Sequence, residues 1–201
     1  MKEELSKIKK KLEKRLDRER YEHTLGVMYT SAALAMRYDS HIEKALTAGL
    51  LHDCAKCFSN TEKLKMCRKH GIPVSDTEEK NPGLLHAKLG AYLAEKEYHI
   101  KDEDILNAIA YHTTGRPDMS LLEKIVYISD YMEPGRVELP NMKEVRRLAF
   151  ADIDECMHRI LADSLVYLKS RDICIDVMTE KTYEYYKDLT EKRRREDGSV
   201  T

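Results

Sequence analysis

The sequence predicts an all-α protein, and three observations carry that prediction. Glu, Lys, Leu, Ala, Met and Arg dominate a chain of 201 residues that has only eight glycines and five prolines, and these are residues that lose little by entering a helix. Apolar positions recur at intervals of three and four along most segments. No segment alternates apolar and polar residues convincingly, so about eight to ten helices and little or no sheet are expected.

Residues 2–18 are highly charged but carry Leu5, Ile8, Leu12 and Leu16 on a narrow apolar stripe. Residues 21–37 turn Leu25, Met28, Ala32, Ala35 and Met36 to one face, and 41–53 are apolar enough to lie centrally. Ser59-Asn60-Thr61 ahead of Glu62 reads as the cap of a short helix over 61–70, which His70-Gly71-Ile72-Pro73 ends. The stretch 71–84, with two prolines and two glycines, is expected to be the longest loop. Helices follow at 85–98, 102–112, 119–132, 141–150 and 152–170, broken at Gly115 and Pro117 and again from Pro134-Gly135 to Pro140. A last helix over 179–193 leads into RRREDGSVT, which is expected to fray. One domain over 1–201 is expected, with a core at about 20–170 between the charged first helix and the tail.

Charge and composition exclude several functions. A net charge of −1 gives no support for nucleic-acid or membrane affinity, and no apolar run approaches the length that spans a bilayer. The opening MKEELSKIKKKLEKRL places charges where an export signal needs an apolar run. Five cysteines (Cys54, Cys57, Cys67, Cys156 and Cys174) are an odd count, so reduced thiols in the cytoplasm are expected. Cys54-x-x-Cys57 without a second pair is a weak metal or redox signal. His41, His70, His99 and His158 fall at helix ends or on polar faces, where solvation or capping is the simpler role. The basic run Lys192 to Arg195 precedes Glu196-Asp197 and reads as solvated tail.

The chemistry is concentrated elsewhere. His52-Asp53 closes the apolar third segment. Adjacent helical side chains point about 100° apart, so the two can hold one metal only at a helix end or bend. Taken alone the pair is equally well a buried His followed by a terminal Asp. Further donors stand along the chain: His23 early in the preceding helix, His86 after the long loop, His112 at a helix end, and Asp130 late in the apolar LLEKIVYISDY. An Asp on an apolar helix face is costly unless paired or metal-bound. Imidazoles with carboxylates suit iron, manganese or zinc rather than calcium, and leave room for a water.

Those residues resemble the HD-domain superfamily, whose ligands run His, then His-Asp, then a distant Asp. More narrowly the chain resembles the YqeK-type bacterial symmetrical dinucleoside tetraphosphate hydrolases. The matching segments are RYEHTLGV (20–27), AGLLHDCAK (48–56), LLHAKLGA (84–91), AIAYHTTG (108–115) and LLEKIVYISDYMEPGR (121–136). The resemblance implies an all-α HD-domain helical bundle that binds a divalent metal, iron foremost with manganese or zinc as alternatives, as one or two ions. It implies cleavage of diadenosine tetraphosphate in the middle to two ADP, or of a guanosine counterpart to GDP-like product, with a homodimer left open. Carried over residue by residue, His23, His52, Asp53 and Asp130 would hold the first metal. His86 and His112 would face the phosphates or hold a second ion bridged through Asp53, and Arg20, Thr113 and Arg136 would bind nucleotide. His23 and Asp130 would also border the nucleotide. The likeness weakens at 173–178, ICIDVM, where the family has an Ile-His-Pro-x-Thr-like stretch; only Ile173 and Asp176 carry over.

A mechanism follows for such a site. A metal-activated water would attack an inner phosphorus. Lys56, one turn beyond the His-Asp pair, would neutralise the leaving nucleotide together with Arg136, His86 and His112, and His112 would serve as general acid. Most of Tyr29, Tyr111, Tyr127 and Tyr131 are expected to be core or half-buried, with one of them able to stack on an adenine. The rival readings are another HD phosphohydrolase, a nucleotidase or alarmone hydrolase, and a non-catalytic nucleotide-sensing module.

Overall fold

The structure, a computed structural model, describes residues 2–137, 139–171 and 173–198. Its elements in chain order are α1 (Lys2–Glu13), α2 (Arg18–Arg37), α3 (Ile42–Leu51), α4 (Asn60–Lys69), α5 (Asp76–Lys80), a 3-10 turn (Pro82–Leu84), α6 (Leu85–Tyr98), α7 (Glu103–Tyr111), α8 (Leu121–Met132), α9 (Met142–Ala151), α10 (Ile153–Ser170) and α11 (Val177–Gly198). Among the described residues all regular structure is helical.

Three boundaries differ from the sequence prediction, each for a physical reason. The first helix stops at Glu13 rather than 18 because Asp17 caps α2, its side chain accepting from Arg20 N. Leu16 stays buried in the intervening turn. The expected loop 71–84 contains α5, started by Ser75 and Glu78 in a reciprocal capping box. The expected fraying of the tail is corrected as far as Gly198; residues 199–201 lie outside the described chain. Arg193 Nη2 reaches Asp154 Oδ2 at 2.6 Å, and Arg194 Nη2 reaches Glu155 Oε2 at 2.8 Å. Both acids sit in the first turn of α10, so two arginines of the basic run are tied to a helix N-terminus while the run itself stays solvated, as expected.

The core gathers side chains from every long helix, including Ile8, Leu12, Met28, Leu51, Leu89, Ile125, Met157 and Tyr186. α2 packs most extensively on α3, and α8 bridges α2, α3 and α7. Gly49 makes the α2–α3 approach possible: a Cβ there would lie 3.0 Å from Met28 Cα and 3.1 Å from Val27 O. That close crossing sets His52, at the end of α3, beside His23 of α2. No described helix is long and apolar enough to cross a membrane.

Candidate metal centre

Four imidazoles and two carboxyl groups converge in one buried cluster. α3 ends at Leu51, and turns occupy residues 52–57, so His52 and Asp53 can both face the cluster, as adjacent residues on a continuous helix could not. His23 comes from α2, His86 from the first turn of α6, His112 from the end of α7 and Asp130 from the last turn of α8. Donor atoms of His23, His52 and Asp130 lie within 4.8 Å of one another, as do those of His52, Asp53 and His112. No such group among the described residues includes Cys54 or Cys57; Cys54 Sγ donates to Gly90 O in the core, and Cys57 is exposed.

Each ring is aimed by its Nδ1. His52 Nδ1 donates to Gly49 O at 2.7 Å, His86 Nδ1 to Gly83 O at 2.6 Å and His112 Nδ1 to Ile109 O at 2.7 Å. A carbonyl only accepts, so the proton sits on Nδ1 and Nε2 presents a lone pair inward. His23 is held differently: its Nδ1 donates to Glu133 Oε1 at 3.0 Å. Oε2 of the same side chain accepts from Gly135 N at 2.6 Å. Glu133 is buried, and its carboxylate fills the space that a Cβ at Gly26 would take. Carboxylate- or carbonyl-backed imidazoles are the usual supporting arrangement of a histidine metal site.

The ring nitrogens that face the centre meet acceptors rather than donors. His23 Nε2 lies 3.0 Å from Asp130 Oδ1, and His52 Nε2 lies 3.5 Å from Asp53 Oδ2 and 3.7 Å from Asp130 Oδ1. All of these are acceptors. His23 Nε2, His52 Nε2 and Asp53 Oδ1 are buried without a hydrogen-bond partner among the described residues. Buried acceptors facing one another need a cation between them. The donor set therefore fits a divalent metal.

Electrostatics keep both carboxyl groups anionic. Burial pushes Asp53 up, but His52, His112 and His86 outweigh it and hold the group well below the usual carboxylate range. Burial likewise opposes ionisation of Asp130, and the contact with His23 followed by the influence of His52 brings it far down. Burial disfavours charging His52, yet Asp53 and Asp130 leave its pKa raised. His86 is depressed by burial and then by His112.

The residues expected around the metal fall into place unevenly. Arg20 Nη1 pairs with Asp53 Oδ2 at 2.8 Å and Arg136 Nη2 with Asp130 Oδ1 at 2.6 Å. Each guanidinium spends only part of its five-donor fork there. Thr113 Oγ1 lies 3.2 Å from His86 Nε2, which is 3.0 Å from His112 Nε2. Lys56 follows within the turn, its backbone N bonded to Asp53 O; its charge acts on His86, and among the described residues no side-chain hydrogen bond or ion pair ties it down. Ile173 and Asp176 line a cavity of about 850 Å³ with His112, Thr113, Asp130 and Arg136. Asp176 Oδ1 also accepts from Met178 N at the start of α11, so one of its oxygens is committed locally. Sequence reading missed Glu133. Its signal was its place three residues after Asp130, on the same side of the helix end, masked by the following Pro134-Gly135.

The chain is also similar to known proteins. A family model described as HD domain matches residues 20–135. The chain is 38% identical over 174 residues to the symmetrical bis(5'-nucleosyl)-tetraphosphatase of Bacillus subtilis, covering 87% of this chain and 92% of that protein. It is 32% identical over 195 residues to the protein of the same name from Staphylococcus aureus, covering 96% and 99%. A crystal structure of a predicted HD superfamily hydrolase involved in NAD metabolism from Clostridium acetobutylicum superposes with a TM-score of 0.89 at 40% identity, covering 92% of this chain and 97% of that one.

Proposed function

The chain belongs to the HD-domain family, and from that premise we infer that it is a metal-dependent hydrolase cleaving diadenosine tetraphosphate symmetrically into two ADP. The observation that carries the reading is the ring of inward-facing acceptors from His23, His52, Asp53 and Asp130, in a chain similar over nearly its whole length to symmetrical tetraphosphatases. These four residues would hold the cation, with iron as the first choice and manganese or zinc as alternatives. A second ion, the alternative to direct phosphate contact by His86 and His112, would be held by these two rings and bridged through Asp53. All five cysteines are free, in keeping with a reducing cytoplasm.

A bound divalent cation supplies hydroxide near neutral pH and polarises a phosphoryl oxygen. The water oxygen bonds to an inner phosphorus, the bridging P–O bond breaks, and the departing ADP oxygen takes up a proton. The chain provides that proton from His112. Two neutral imidazoles whose Nδ1 atoms both donate outward would set bare lone pairs 3.0 Å apart at His86 and His112. One shared proton resolves the contact as N–H···N. His112 lines the cavity beside Asp130 and Arg136, which sets it, rather than His86, to pass the shared proton to the leaving group. Arg20, Arg136 and Lys56 place positive charge where the leaving diphosphate accumulates negative charge. Thr113 orients phosphate beside His86, and Ile173 and Asp176 line the nucleoside end.

Elemental analysis of the purified protein, coupled to chromatography of products from diadenosine tetraphosphate, tests the assignment. Bound transition metal and ADP as sole product are expected. ATP with AMP would refute symmetrical cleavage. Nucleoside or pyrophosphate from other nucleotides would point to a different phosphohydrolase, and tight ADP binding by metal-replete protein without turnover would point to a sensing module. Sizing chromatography separates monomer from homodimer.

A further inference from the structure

The metal cradle is open on two sides. One groove, about 870 Å³ in volume, runs from His23 along α2 to Phe150 of α9. The other, about 850 Å³, runs from His112 and Asp130 past Tyr131 to Tyr167 and Ile173. Arg136 and Val137 line both. The two grooves therefore meet at one ridge, and the guanidinium on that ridge is the one that touches Asp130. Each volume suits a nucleotide.

Exposed aromatic surface follows the same division. Three aromatic side chains are exposed among the described residues: Tyr29 at 61%, Phe150 at 41% and Tyr167 at 56%. Tyr29 and Phe150 border the first groove and Tyr167 borders the second. Aromatic rings in water beside a phosphate-binding centre are platforms for bases. Charge divides the first groove as well. Arg20, Arg136 and Arg146 attract phosphate, whereas the exposed Asp17, Glu19 and Glu22 repel it and can accept from ribose hydroxyls.

The geometry points to the first groove as the binding site for the second nucleoside diphosphate unit of a substrate whose other half lies in the second groove. This rests on the dinucleotide reading above and deepens it. The scissile anhydride then lies at the shared ridge, over the metal ligands, with a stacking platform on either side. Central cleavage follows from the placement of the metal between two similar sites, without any need to recognise the middle of the phosphate chain.

Calorimetric titration of the metal-loaded, full-length protein with ADP tests the assignment. Two ADP per chain are expected for the wild type. A Tyr29→Ala/Phe150→Ala double variant should bind one, with the affinity of the retained site within about twofold of wild type. Tyr167→Ala should weaken that retained site instead. One ADP per chain in the wild type, or a double variant that binds two unchanged, overturns the proposal. In steady-state assays the double variant should raise KM for diadenosine tetraphosphate about tenfold, the loss expected for one stacked base. A wild type that binds two ADP yet cleaves no diadenosine tetraphosphate would refute the enzymatic reading while supporting the groove. Cleavage with one ADP bound and a KM indifferent to the double variant would refute the groove alone.

Discussion

Replacing Glu133 by Gln removes one charge and no volume, and the structure fixes what should follow. Glu133 serves two donors, His23 Nδ1 through Oε1 and Gly135 N through Oε2. A glutamine has one carbonyl oxygen and one amide nitrogen, so it can accept from only one of them. If the oxygen goes to Gly135, the amide faces His23 Nδ1 and forces that nitrogen to accept. The ring proton then moves to Nε2, the atom that lies 3.0 Å from Asp130 Oδ1, and the inward lone pair is lost. If the oxygen stays on His23, Gly135 N–H is left facing an amide donor, and the turn that carries Arg136 loosens. Removing an outer partner of a metal-bound imidazole usually lowers metal affinity about ten- to a hundredfold, which is roughly 1.4 to 2.8 kcal/mol. Competition against a chelator of known affinity measures it, and saturating metal should restore much of the diadenosine tetraphosphate turnover. Wild-type metal affinity in Glu133→Gln would refute the claim that this carboxylate sets the tautomer of His23. A fall in melting temperature of the metal-free protein with no change in metal affinity would refute it as well, by showing a purely structural role.

Other substitutions probe the remaining elements. His52→Ala or Asp53→Ala should abolish both metal content and turnover, and an active, metal-loaded variant would contradict the assigned centre. Gly49→Ala should lower stability by about 2 kcal/mol through overpacking against the α2 backbone, seen in calorimetry as a melting point roughly 4 to 8 °C lower; a more stable variant would mean that the helices can move apart freely. The hydroxyl of Tyr98 is buried without a hydrogen-bond partner among the described residues, and burial above all pushes its pKa up to about 12. Because the unfolded chain loses this proton near pH 10 while the fold retains it, stability falls as pH rises from about 10 to 12, by about 2 kcal/mol from this group. Tyr98→Phe should flatten that part of the pH–stability curve, and an unchanged alkaline slope would show that the hydroxyl is not held protonated.

Much of the centre could be read beforehand because its ligands are chemically conspicuous. Asp130 in an apolar helix and His52-Asp53 at the end of another need a partner wherever they are placed, and the structure brings both together with His23. Ser75 offered the same three-residue spacing to a Glu as Ser59, yet α5 went unread because prolines and glycines around it suggested a loop. Glu133 was hidden for a related reason: an acid before Pro-Gly looks like solvent-facing punctuation, and only the approach of α2 at Gly26 turns it inward. The anchoring of Arg193 and Arg194 depends on α10 lying alongside α11, a tertiary fact with no local trace. Of the four tyrosines expected to be mostly core or half-buried, Tyr29 is the exposed one, because α2 presents it to a groove rather than to another helix.

Three of the four imidazoles are steered by a carbonyl only three positions earlier in their own segment. Their bearing is thus encoded within a single turn and persists however the helices are arranged around them. His23 alone takes its bearing from across the molecule, through a side chain 110 positions away. Loading of the ion is consequently a test of assembly: a chain whose segments have formed but whose second and eighth helices have not yet found their registers can offer three correctly pointed rings and still lack the fourth, so occupancy certifies that the long-range architecture is complete.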